Sequence, residues 1–162
     1  MNSFKTRTLL IVSISFLVIA VTNAQNTPQD YLNTHNTARA QVGVANLVWD
    51  TTVANYALTY ANSRKADCSL THSNGPYGEN LAKGSSSSFS AISAVNLWVN
   101  EKPYYNYTTN KCTGGQQCLH YTQVVWRDST KLGCARVQCN NGWWFVSCNY
   151  NAPGNWVGEY PY

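Results

Sequence analysis

The 162-residue sequence holds three histidines, His35, His72 and His120, and three glutamates, Glu79, Glu101 and Glu159. Glu79 and Glu101 each lie among aromatic and small residues, where a solvated charge would serve no purpose. Two imidazoles with one or two carboxylates can hold Zn2+ or another divalent ion, or pair as acid and base around a water. The set His72, Glu79, Glu101 and His120 is therefore the candidate chemistry. His72 and His120 are the candidate metal ligands, far apart in the chain and outside any HExxH pattern, so only the tertiary fold can bring them together. The alternative is that imidazoles and carboxylates satisfy one another in a polar pocket, as buried polar groups must. No nucleophile accompanies them: there is no GxSxG motif, and Ser73, next to His72, has no base-orienting neighbour in the sequence.

The cysteines are better used as crosslinks. An even count of six, Cys68, Cys112, Cys118, Cys134, Cys139 and Cys148, without any CxxC spacing, fits three disulfides of an exported domain rather than a zinc cluster. Leu132 to Gln138 and Trp143 to Tyr150 read as strands around the turn Asn140-Asn141-Gly142. With Asn141 as midpoint, Cys134 faces Cys148, and the two-residue period of a strand turns Cys139 to the opposite face. Cys112 and Cys118 flank a short loop with two glycines and pair most naturally with each other. Cys68 to Cys139 remains.

The elements that must position these groups are helical first and β-rich last. Gln29 to Val42 carries Tyr31, Leu32, His35, Ala38, Arg39 and Val42 at helical spacing, with Pro28 suited to the first turn and His35 read as a packed, hydrogen-bonded side chain. Asp50 can cap a second helix to about Lys65, and a third runs from about Ser90 to Glu101 with Ile92, Val95 and either Val99 or Trp98 facing inward. Gly84 to Ser88 reads as a surface loop, and Cys118 to Arg127 has mixed helical and strand character.

Composition bounds the partners. Lys5 and Arg7 before an apolar run ending at Thr22-Asn23-Ala24 read as a secretory signal peptide over residues 1–24. Residues 25–162 then form one domain with nine basic against seven acidic residues. So small and scattered an excess excludes a nucleic-acid groove. The expected product is a secreted, extracellular monomer.

Between Trp98 and Cys112 the chain reads WVNEKPYYNYTTNKC. Tyr104, Tyr105 and Tyr107, with Trp98, offer flat apolar faces with polar tips, a surface suited to a sterol or other flat lipid. Asn106-Tyr107-Thr108 is a glycosylation sequon, making Asn106 a candidate acceptor.

Four stretches, LNTHNTARAQVGV, HSNGPYGENLA, HYTQVVW and CNYNAPGNWVG, resemble the CAP superfamily of cysteine-rich secretory, venom-antigen and pathogenesis-related proteins, with the plant pathogenesis-related family 1 as the best match. The resemblance covers essentially all of residues 25–162. It implies an α+β fold, a three-layer α-β-α sandwich, with the disulfides deduced above. It places His72, Glu79, Glu101 and His120 in a central cleft and links the aromatic loop to sterol binding. It further implies an antifungal or anti-oomycete defence protein of the apoplast that needs no cofactor, with a divalent metal such as zinc as an option at the cleft. A metal-dependent secreted hydrolase or protease is the alternative.

The tail, APGNWVGEYPY, resembles a releasable defence-signalling peptide with its own receptor, cut between Asn151 and Ala152. Its two prolines and two glycines predict a terminal segment open to proteases. The alternative is a brace with Trp156 packed in the core. Ala152, where relatives carry proline, and Leu119, before His120, depart from the family pattern.

Overall fold

The computed structural model describes residues 26–162; the signal-peptide segment read over 1–24 lies outside the described residues. Helix α1 (Pro28–Ala40) starts on a capping box in which Thr27 and Asp30 satisfy each other's backbone N–H groups, with Pro28 in the first turn. Helix α2 (Thr51–Ser63) starts on Asp50, whose Oδ1 accepts from Thr52 N at 2.9 Å and Val53 N at 3.1 Å. Helix α3 (Ala91–Val99) starts on Ser90. All three are slightly shorter at the C-terminal end than the apolar periodicity predicts. Residues 118–127 resolve into a short helix, α4 (Leu119–Val124), and a turn.

Four strands, β1 (Val48–Trp49), β2 (Gly78–Gly84), β5 (Lys131–Gln138) and β6 (Trp144–Asn151), form one sheet in the order β1-β5-β6-β2. A separate ribbon pairs β3 (Tyr105–Asn106) with β4 (Lys111–Cys112). The β5–β6 hairpin has the expected register, with Cys134 opposite Cys148 at a Cα–Cα distance of 4.1 Å. Cys68–Cys139 and Cys112–Cys118 are the other two disulfides, and no free cysteine remains among the described residues.

Helix α2 covers one face of the sheet; α1, α3 and α4 cover the other. Alternation along β6 produces these two cores. Val146, Cys148 and Tyr150 meet Trp98, Tyr121 and Leu132, while Phe145 meets Ala57, Ala61 and Val137. Gly133 permits the close approach of α2, because a Cβ there would fall 2.0 Å from Ala54 N. The result is the three-layer α-β-α sandwich.

Arg39 holds the α1 layer to the strand connection. It is wholly buried, has no carboxylate partner among the described residues, and donates to the carbonyls of Ala45 (2.7 Å), Val124 (3.0 Å), Trp126 (2.8 Å) and Ser129 (2.9 Å). Burial pushes its pKa down to about 10, which leaves the guanidinium charged at neutral pH.

The last eleven residues are not a loose end. From Ala152 to Tyr162 the chain runs as a strap across α4 and the β3–β4 ribbon, tied by side-chain and backbone hydrogen bonds along its length. Gly154 lets it lie flat on Trp126, whose ring would be 2.5 Å from a Cβ at that position. Prolines and glycines here exclude regular structure without preventing attachment, so of the two readings of the tail the structure has the attached one. Trp156 is also not a core residue; it is 56% exposed.

Candidate functional site

The four candidate residues form two histidine–glutamate pairs. Glu79, on β2, has a side chain only 5% exposed, and its Oε1 accepts from Ser73 N at 2.9 Å and His72 Nδ1 at 2.8 Å. Asn149, across the strand pair, reaches its Oε2 at 3.4 Å. The carboxylate anchors the loop before β2, and the His72 ring stands half-exposed on that anchor. Glu101, just past α3, acts on α4: Oε2 accepts from His120 N at 3.0 Å and Tyr121 N at 3.2 Å, and Oε1 takes His120 Nδ1 at 2.6 Å. It caps the free N–H groups of α4 and fixes the imidazole in one contact.

A carboxylate can only accept, so each bound Nδ1 carries the proton and each Nε2 is the atom left over. Both rings line one cleft of about 470 Å³ with Asn80, Leu81, Gln117, Leu119 and Asn155. The fold thus brings together what the sequence separates. Among the described residues, no group of three or more His, Cys, Asp or Glu is placed to hold a metal. A divalent ion would have the two Nε2 atoms as protein ligands, with Glu79 and Glu101 setting the tautomers from behind. Ser73 Oγ is engaged by the Tyr56 hydroxyl at 3.0 Å and does not bond either imidazole.

The cleft floor continues into the core. Asn80 Nδ2 donates to His120 O at 3.0 Å and to the Tyr150 hydroxyl at 3.1 Å, and that hydroxyl meets His35 Nε2 at 2.8 Å. His35 is wholly buried, bonded through Nδ1 to Tyr31 O at 2.8 Å, as the sequence predicts for a packed histidine. Burial lowers its pKa to about 4.

A second cavity, about 290 Å³, adjoins the first across Leu119 and Asn155. Tyr105, Leu119 and Trp126 form one wall; Trp156, Val157 and Pro161 of the strap form the other. Leu119 is 54% exposed, and Val157 is fully exposed. Of the aromatic loop, Tyr105 lines this groove and donates to Asn110 Oδ1 at 2.8 Å. Burial, with Tyr162 adjacent, pushes its hydroxyl up to about 12, so it stays a neutral donor. Tyr107 stacks on Tyr162 with centroids 5.0 Å apart, and Tyr104 is exposed. Trp98 does not belong to the set. It is 2% exposed, with Nε1 donating to Leu81 O at 3.2 Å, because it sits on the inner face of α3. The strap residues were not among the sequence candidates for this surface; the signal was a Trp-Val pair set between two glycines in a segment after the last cysteine. Asn106 is exposed, its Oδ1 accepting from Thr109 N at 3.1 Å, which leaves Nδ2 as the atom a glycan would use.

With the sandwich, the three disulfides and the paired His–Glu cleft in place, comparison with known proteins gives a consistent answer. Residues 32–150 match the family described as the cysteine-rich secretory protein family, CAP. The chain belongs to that family. It is 55% identical to pathogenesis-related leaf protein 6 of Solanum lycopersicum over the full length of both chains. It is 57% identical to pathogenesis-related protein 1A of Nicotiana tabacum, over 94% of this chain and 93% of the relative. It falls with the plant pathogenesis-related 1 proteins, a defence class. Among solved structures, that of NaASP2 with Zn2+ superposes with a TM-score of 0.69 at 26% identity, covering 83% of each chain.

Proposed function

We propose that this chain is an antifungal or anti-oomycete protein of the apoplast that binds a sterol, or another flat membrane lipid, in the groove between Tyr105 and the C-terminal strap. The observation that carries the reading is the groove itself: apolar walls from Tyr105, Leu119, Trp126, Trp156 and Val157, with Asn110, Thr122 and Asn155 as polar points. Such a lining suits a ligand that is apolar along its length and polar at one end. A groove of about 290 Å³ takes one end of such a molecule, and the exposed Leu119 and Val157 flank the remainder. The test is titration with dehydroergosterol, a fluorescent sterol. Saturable binding that Tyr105→Ala weakens about fivefold, roughly 1 kcal/mol of aromatic contact, supports the reading. Absence of saturable binding by the unaltered protein refutes it.

A second reading is favoured by the matched Nδ1–carboxylate contacts of His72 and His120. Histidines that bind metal through Nε2 commonly hand Nδ1–H to a carboxylate. The cleft would then take a divalent cation such as Zn2+ on the two Nε2 atoms, with water completing its shell. The metal would supply Lewis acidity, while Glu79 and Glu101 would orient the two rings through their Nδ1 atoms.

A further inference from the structure

We propose that the strap, residues 152–162, is a working wall of the lipid groove, so that ligand occupancy and removal of the strap oppose one another. The inference rests on the lipid-binding reading above. The strap follows the last disulfide cysteine, Cys148, and is held only by non-covalent contacts beyond Asn151. On one side of the groove, Gly154 N donates to Gln123 Oε1 at 3.0 Å and Asn155 Nδ2 to Leu119 O at 2.8 Å. On the other, Glu159 O accepts from Asn110 Nδ2 at 2.8 Å, Tyr160 O from Arg127 Nη2 at 3.1 Å, and Pro161 O from Arg127 N at 2.7 Å. Tyr107 closes the end, its hydroxyl donating to Tyr162 O at 2.9 Å.

Between these two anchorages lie Trp156, Val157 and Gly158, whose own bonds stay within the strap: Trp156 Nε1 to Pro153 O at 3.1 Å and Glu159 N to Trp156 O at 3.0 Å. The apolar pair is therefore suspended over the groove by its neighbours, largely exposed, and pre-ordered before any ligand arrives. A ligand seated against Tyr105 and Trp126 buries Trp156 and Val157, contacts that exist only while the strap is closed. Anything that binds the closed form alone lowers the population of the open form by the factor 1 + [L]/Kd, and the coupling is reciprocal. Cleavage that passes through the open form slows by that same factor.

The experiment is limited chymotrypsin digestion of the intact mature protein, with and without dehydroergosterol at ten times its measured Kd. Cleavage after Trp156 is followed by mass spectrometry, with cleavage after Trp143, in the distant β5–β6 turn, as the internal reference. The expected result is about tenfold slower cleavage at Trp156 with no change at Trp143. In Arg127→Ala, which loosens the strap without lining the groove, cleavage at Trp156 accelerates and sterol affinity falls together. Sterol binding without protection of Trp156, or faster strap cleavage in Arg127→Ala at unchanged affinity, overturns the coupling and leaves the lipid reading standing. Failure of the unaltered protein to bind the sterol overturns both.

Discussion

The Tyr150 hydroxyl lies 2.8 Å from His35 Nε2 and joins the inner face of α1 to the central strand β6 in the middle of the core. Nδ1 of His35 faces the Tyr31 carbonyl, so Nδ1 carries the proton and Nε2 accepts from Tyr150. The neutral imidazole fits this environment, and a proton on Nε2 would face the tyrosine in place of its O–H donor.

Stability should therefore fall as the solution is acidified. Burial lowers the His35 pKa to about 4 from an ordinary 6.5, so between these values the unfolded chain binds a proton that the folded chain refuses. The contribution is fully present above 6.5 and is lost as pH falls toward 4, by up to about 3 kcal/mol. Asp50, whose carboxylate is lowered by the Val53 N–H and Lys131, adds a loss only below the ordinary 3.8, outside this window. Urea unfolding at pH 7, 5.5 and 4 checks the slope. His35→Leu should be less stable at pH 7 but flatter across the series; an equally steep loss in the variant would assign the effect elsewhere.

Arg39 should be among the least replaceable side chains. Its removal strands four carbonyl acceptors that Ala45, Val124, Trp126 and Ser129 direct at it. Arg39→Met, close in length but unable to donate, should cost about 3 kcal/mol or more. Arg39→Lys should recover little, because one ammonium cannot meet carbonyls spread around a planar fork. Chemical denaturation of the three proteins at pH 7 measures this, and a Met variant within about 0.5 kcal/mol of the original would show that the clamp contributes nothing net.

What the sequence revealed follows from which signals were local. The cap at Asp50, the start of α3 near Ser90, and the Asn-Gly turn whose midpoint sets Cys134 against Cys148, depend on neighbours a few residues away. Strand β2 was not legible. Its sequence GENLAKG has no β-branched residue and two glycines, and it is extended because β6 offers it a full ladder from Gly78–Tyr150 to Gly84–Trp144. Apolar spacing in α3 leaves Val99 and Trp98 competing for the inner face, and the fold gives it to Trp98, which removes that ring from the lipid surface. The sequence leaves the strap undecided between open end and brace because proline and glycine content reports the absence of regular structure, whereas attachment depends on distant partners such as Asn110 and Arg127. For the cleft, residue types identified the four members, but only the fold reveals that Glu101 serves α4 as well as His120.

That double duty separates the two carboxylates experimentally. If the cleft takes a cation on the Nε2 atoms, His72→Ala and His120→Ala should each abolish stoichiometric Zn2+ uptake in calorimetry, since a single remaining imidazole gives a weak site. Glu79→Gln and Glu101→Gln keep both rings but weaken their orientation, and loss of a carboxylate behind a ligating imidazole commonly costs about tenfold or more in metal affinity. The two glutamine variants should then diverge in stability. Glu101→Gln loses the charge at the start of α4 and competes less well for the His120 and Tyr121 N–H groups, at a cost of about 1 kcal/mol. Glu79→Gln loses the partner of an imidazole that is already half in water, and the Ser73 N–H can still reach an amide oxygen, so the cost should be smaller. Zn2+ uptake unchanged in both histidine variants would remove the cation from the cleft, leaving the His–Glu pairs as fixings for the β2 loop and α4.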